Sequence, residues 1–155
     1  MSRQNPKTYL LRDDGTFPNH PRWPLLVYPA VLSDSLKDRA AELERLFRKN
    51  GWGRMWRNGV YTFQHYHSNA HEVLGVYSGS ARVQFGGPQG VDVELTAGDV
   101  AVLPAGTAHM NLWSSDDFGV VGAYPPRGGL RHAAWKEGGA QACDGNHQRR
   151  CQTRI

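Results

Sequence analysis

At 155 residues and 17.3 kDa the chain has room for one domain with a sizeable core and not for two ordinary ones. No apolar stretch approaches the ~20 residues of a membrane span, and the polar start over residues 1–7 has no apolar segment behind it, which points to a cytoplasmic protein. The net charge of +4 is uneven: residues 1–126 carry 12 basic against 12 acidic side chains and residues 127–155 carry 6 against 2, so the body is neutral and no nucleic-acid partner is expected.

Residues 1–32 hold Pro6, Pro18, Pro21, Pro24 and Pro29, which exclude a long helix and favour an extended arm lying on the surface, with Trp23, Leu25, Leu26 and Val27 seeking burial. Over residues 33–50 the apolar positions Leu36, Ala40, Leu43, Leu46 and Phe47 recur at helical spacing, with Ser33 as N-cap and Gly51 as the stop. This predicts one amphipathic helix of about four turns. Residues 51–126 change to period two with closely spaced turn signals, as in an all-β sandwich or barrel. Strands are expected near 60–67, 71–78, 81–86, 91–95, 99–103, 108–114 and 118–124, with a hairpin at Gly86–Gly90 and a tight connection at Asp116–Asp117. Trp52 and Trp56, beside the helix end, are expected to pack the mouth of that barrel. Residues 127–155, with paired glycines, scattered charge and few apolar side chains, read as a basic tail. Cys143 and Cys151 both fall there, and Cys143-x3-His147-x3-Cys151 lacks the paired spacing of a structural zinc site.

Side chains two apart on a strand share a face, so His65 and His67 project together, with Tyr61 and Phe63 on the same side. Glu72, five residues past His67, would face away on an unbroken strand, so a turn at Ser68, Asn69 and Ala70 has to reset the parity. His109 arrives from a separate hairpin behind the turn formers Pro104 to Thr107, and Asn111 and Trp113 are expected to follow it inward. Three imidazoles and a carboxylate, His65, His67, His109 and Glu72, suit one first-row divalent metal with positions left open for water or substrate. Tyr61 is the candidate catalytic hydroxyl; Phe63, Asn111 and Trp113 are candidate pocket residues, with Met110 and Tyr124 behind them. His71 adjoins Glu72 but points outward by strand parity, and His20 and His132 read as surface residues.

The two stretches read Gly59-x5-His65-x-His67-x4-Glu72-x6-Gly79 and Gly98-x5-Pro104-x-Gly106-x2-His109, with 18 residues between Gly79 and Gly98. This resembles the cupin family, and the longer string from Asn50 to Tyr124 is similar to small stand-alone bacterial cupins. The second motif departs where the family has an asparagine: Trp113 stands there, and Asn111 lies two residues after His109. The resemblance implies an all-β double-stranded β-helix, a jelly-roll barrel with the metal inside, here preceded by the amphipathic helix. It implies a metal-dependent enzyme acting on a small polar organic molecule, with an iron-type dioxygenase favoured. The alternatives are a non-catalytic metal-containing binding or sensor module, and a metal-dependent isomerase or lyase. Iron, manganese, nickel, zinc and copper all accept such ligands. The outward-pointing Val60, Tyr66, Val73, Tyr77 and Leu112 need a cover, which the helix, the arm and a second copy in a homodimer would supply.

Overall fold

The alternating pattern resolves into two stacked sheets in a computed structural model that describes residues 5–127, 131–136 and 139–144, the last two segments as backbone. In chain order the elements are β1 (Lys7–Tyr9), β2 (Leu25–Tyr28), α1 (Arg39–Lys49), β3 (Gly53–Asn58), β4 (His65–His67), β5 (Glu72–Ser78), β6 (Ser80–Phe85), β7 (Val91–Thr96), β8 (Val100–Leu103), β9 (His109–Ser114), β10 (Gly119–Tyr124), β11 (Arg131–Lys136) and β12 (Gly139–Asp144). One six-stranded sheet has the order β1-β2-β8-β5-β10-β3, and the other β12-β11-β4-β9-β6-β7, with antiparallel pairing throughout.

The inner faces enclose one apolar core that includes Leu25, Val27, Leu74, Val76, Val83, Phe85, Leu95, Leu103 and Val120. A second core lies outside the first sheet, where Ala40, Leu43 and Phe47 of α1 cover Val73, Val100, Val121 and Ala123. β10 is therefore buried on both faces. The helix sits close because Gly75 has no side chain: a Cβ there would stand 2.6 Å from Leu43 Cδ2 and 2.9 Å from Phe47 Cζ. The helix and the arm supply most of the expected cover. Val73 lies under α1, and Phe17 of the arm meets Tyr66 edge-on at 6.4 Å. Val60 belongs to the inner core instead of the outside, because residues 59–64 are not strand and the parity of β4 does not extend to them.

Several expectations are revised. The helix begins at Arg39, not near Ser33, with Asp38 as N-cap accepting from the Ala41 N–H at 2.9 Å. The Ser33 hydroxyl instead engages Ser35, a local bond that competes with helix. The arm contributes two strands, and β2 pairs with β8 through Leu26 and Val102. Trp23, expected to be buried, is 53% exposed and stacks on His20 at 4.7 Å. The expected strand over 60–67 is confined to β4, while β3 precedes it unforeseen. Part of the segment read as a tail is strand: β11 pairs with β12 and also with β4, Ala134 standing opposite His65. His132 and Cys143 lie on those strands; His147 and Cys151 fall outside the described residues. Among the described residues no helix is long and apolar enough to cross a membrane.

Candidate metal centre

The three histidines come from the second sheet and the carboxylate from the first, so the cluster spans the space between them. His65 and His67 share the inner face of β4, and His109 opens β9, where it pairs with His65. Glu72 opens β5 in the opposite sheet, and residues 68–71 are the crossing. The turn inferred at Ser68 to Ala70 thus resets parity by changing sheets. All four side chains are buried, with exposures of 4% for His65, 3% for His67, 2% for Glu72 and 1% for His109.

One ligand nitrogen from each of His65, His67 and His109 lies within 4.8 Å of the others, a spacing at which three imidazoles could bind a metal ion. Glu72 adds an oxygen: its Oε2 stands 3.3 Å from His67 Nε2 and 3.2 Å from His109 Nε2. The chain itself orients two of the rings. His65 Nδ1 lies 3.2 Å from the Phe63 carbonyl and His109 Nδ1 lies 3.1 Å from the Thr107 carbonyl. A carbonyl oxygen only accepts, so Nδ1 of each ring carries the proton and a neutral ring turns its Nε2 lone pair inward. Burial, with His109 as the second cause, holds His65 well below the usual imidazole range, so the ring is neutral. Burial pushes the Glu72 carboxyl up, but His67 and His109 pull it down further, and it stays well below its ordinary value as a carboxylate.

These donors fit a cation. Glu72 Oε2 is buried without a hydrogen bond of good geometry, although two ring nitrogens stand beside it. Lone pairs facing a carboxylate oxygen in a dry site repel unless a proton or a metal ion lies among them.

A cavity of about 20 Å³, lined by Trp56, Asn58, Tyr61, His65, Glu72, His109 and Tyr124 among others, opens onto the cluster. It has room for roughly one water-sized body. Tyr124, buried at the end of β10, brings its hydroxyl to 3.4 Å from His67 Nε2. Burial, then the Glu72 charge, raises its pKa, so it stays a neutral hydroxyl. Tyr61 lies at the cavity wall, its ring 4.9 Å from that of His65 and stacked on Phe63 at 4.8 Å. Phe63 reaches the His65 ring at 5.7 Å. Asn111 shares the inner face, opposite buried Val83, and donates from Nδ2 to Ser114 Oγ at 3.0 Å.

Trp113 does not join the site. A bulge passes over Leu112, so Asn111 pairs with Val83 but Trp113 pairs with Arg82 on the outer face, where Trp113 is 61% exposed. His71 stays outside the cluster as expected, its Nδ1 accepting from the Ala105 N–H at 2.9 Å and its ring 5.2 Å from Trp23. Two residues were missed. Trp56 on β3 lines the cavity beside His65, Glu72 and His109. Asn19, buried in the arm at φ 48°, donates to the Arg12 and Gly86 carbonyls and accepts from the Ala108 N–H at 3.2 Å, fixing the backbone just before His109. Pro18-Asn19 reads as a turn, and only its contacts far along the chain reveal the second role.

A family model described as a cupin domain matches residues 54–120. The uncharacterized protein YjlB of Bacillus subtilis strain 168 is 44% identical over 132 residues, covering 85% of this chain and 75% of its own. Among solved structures, the pro-11S globulin of pumpkin is 22% identical over 58% of this chain, with a TM-score of 0.45, and this chain spans 25% of that one. An uncharacterized conserved protein from Klebsiella pneumoniae with a double-stranded β-helix domain is 19% identical, covering 86% of this chain and 82% of its own, with a TM-score of 0.41. With two motifs that each run between the facing sheets and a relative matched over most of both lengths, the chain belongs to the cupin superfamily, and its paired antiparallel sheets are that family's double-stranded β-helix.

Proposed function

We propose that the protein is a metal-dependent enzyme acting on a small polar organic molecule, with an iron-type dioxygenase favoured. One observation carries this reading: three imidazoles and the Glu72 carboxylate converge, buried, and His65, Glu72 and His109 of that cluster line a cavity whose wall includes Asn58 and Tyr61. His65, His67, Glu72 and His109 would hold one divalent ion, and three nitrogens with one oxygen leave coordination positions for a ligand. Bound there, the metal supplies Lewis acidity and, in the case of iron, electron transfer to oxygen. The protein's own contribution is orientation. The Phe63 and Thr107 carbonyls set two rings, the crossing between sheets brings Glu72 against them, and Tyr124 holds a neutral hydroxyl beside His67. Tyr61 would contact the substrate from the cavity wall.

The confined cavity favours a second reading, a non-catalytic metal-containing binding or sensor module. A homodimer accompanies either reading, since Leu112 and Trp113 form an exposed apolar pair that a second copy would cover.

The metal content of freshly purified protein is the first test. Loaded anaerobically with ferrous iron, a dioxygenase should consume oxygen only when a substrate from a panel of diketones, hydroxy acids and sugar derivatives is added. Turnover of a panel compound without oxygen would identify an isomerase or lyase. Binding of a compound that remains unchanged with every plausible metal would establish the sensor reading in place of the enzyme.

A further inference from the structure

The cavity wall holds a hydrogen-bond donor that the metal-ligand set does not use. Trp56, on the edge strand β3, turns its indole into the cavity that contains His65, Glu72, His109 and Tyr124. Its Nε1 is buried and makes no hydrogen bond of standard geometry, although the Tyr124 hydroxyl is a neighbour. An indole N–H can only donate, and leaving it buried without an acceptor costs stability that plain packing would not require.

The ring is also deliberately seated. Trp56 stands opposite Gly122 of β10, and a Cβ at Gly122 would lie 2.1 Å from the indole Cε2 and Cζ2 and 2.6 Å from Nε1. The indole therefore occupies the space that a side chain at Gly122 would need, and the bare glycine fixes where the N–H sits. Trp56 Nε1 and the Tyr124 hydroxyl thus border a space of about 20 Å³ beside the ligand cluster. An apolar occupant would leave the indole N–H without a good acceptor, whereas the Tyr124 hydroxyl already lies beside His67. One oxygen of a small anion supplies that acceptor while it faces the metal side.

We propose that Trp56 is a positioning residue which, with Tyr124, holds a carboxylate or enolate oxygen of the ligand at the metal centre. The assignment rests on the metal reading above and narrows the substrate class to small oxyanions, with Trp56 supplying the hydrogen bond that orients the oxygen.

Zinc-loaded full-length protein, uniformly labelled with ¹⁵N so that backbone amides and the five tryptophan indoles are both observed, is titrated with formate as the probe. The Trp56 indole resonance, assigned through bonds in the wild-type protein, should move downfield as formate binds. In Trp56→Phe, which keeps a ring and removes the donor, formate affinity read from the Gly59 amide should fall roughly tenfold with zinc retained. Gly122→Ala should weaken formate similarly by displacing the ring, whereas Trp52→Phe, which changes a residue of the outer core, should leave it unchanged. Wild-type protein that fails to hold zinc would remove the metal reading and the proposal together. Zinc retained with no formate binding, with an unmoved Trp56 resonance, or with unchanged affinity in Trp56→Phe would overturn the Trp56 assignment alone.

Discussion

His65 and His109 are direct partners across β4 and β9, the one Cα pair joining those strands among the described residues, and their ring centroids stand 4.0 Å apart. The two histidines belong to different sequence motifs, so neither motif holds the cluster alone. A single point of registry aligns them, and the neighbouring contacts must keep it in place.

Replacing both His65 and His67 by Ala should abolish stoichiometric metal, and Glu72→Gln should weaken it by more than tenfold, since a neutral amide no longer balances the ion. His71→Ala should leave metal content unchanged, because that ring faces Trp23 and Ala105. Elemental analysis of the purified variants reads all three. Metal kept by the double variant would exclude these ligands, and metal lost in His71→Ala but kept in a Glu72 variant would transfer the fourth position.

Metal removal should lower stability by linkage. With free ion at a hundredfold excess over Kd the folded state gains about 2.7 kcal/mol, which chelation takes away. Urea unfolding with and without chelator measures it. An unchanged midpoint would mean that the ion does not bind the folded cluster.

Asn19→Ala should destabilise the protein by roughly 1–3 kcal/mol, because it leaves the buried Ala108 N–H without its acceptor and frees the Gly86 carbonyl. The same change should weaken metal binding through the loosened approach to His109. Metal affinity equal to wild type, despite the lost stability, would show that His109 is held independently of the arm.

Asp38→Ala should cost about 1 kcal/mol through the lost N-cap, whereas Ser33→Ala should cost little. Chemical denaturation separates the two. The reverse order would restore the longer helix suggested by residue spacing.

Truncation after Gly129 should impair metal binding and lower the melting temperature by roughly 5 °C or more, because β11 pairs along the strand that carries His65 and His67. Calorimetry and metal analysis of the shortened chain test this. Wild-type values for both would show that β4 needs no neighbour on that side.

The convergence of His65, His67, Glu72 and His109 was legible because motif spacing and strand parity act locally, and a turn at Ser68 to Ala70 followed from the position of Glu72, though not that it changes sheets. Composition misled at residues 127–155, since glycines and charges conceal strands that gain their partners from β4 and from each other. Spacing misled at Ser33, where apolar periodicity continued past the point at which Ser33 and Ser35 bond locally. Trp56 went unrecognised because its role depends on lying across a glycine 66 residues later in the chain.

The bulge at Leu112 sets the bore of the barrel at this level. With it, the inward succession on β9 is His109, Asn111 and Ser114, facing Phe85, Val83 and Ala81 in turn, and a hydroxymethyl group occupies the third place. Without it the third place would fall to Trp113, and an indole would plug the lumen above the histidines. One supernumerary residue therefore keeps the indole out of the barrel, because Leu112 and Trp113 share the outer place opposite Arg82 and the inward turn passes to Ser114.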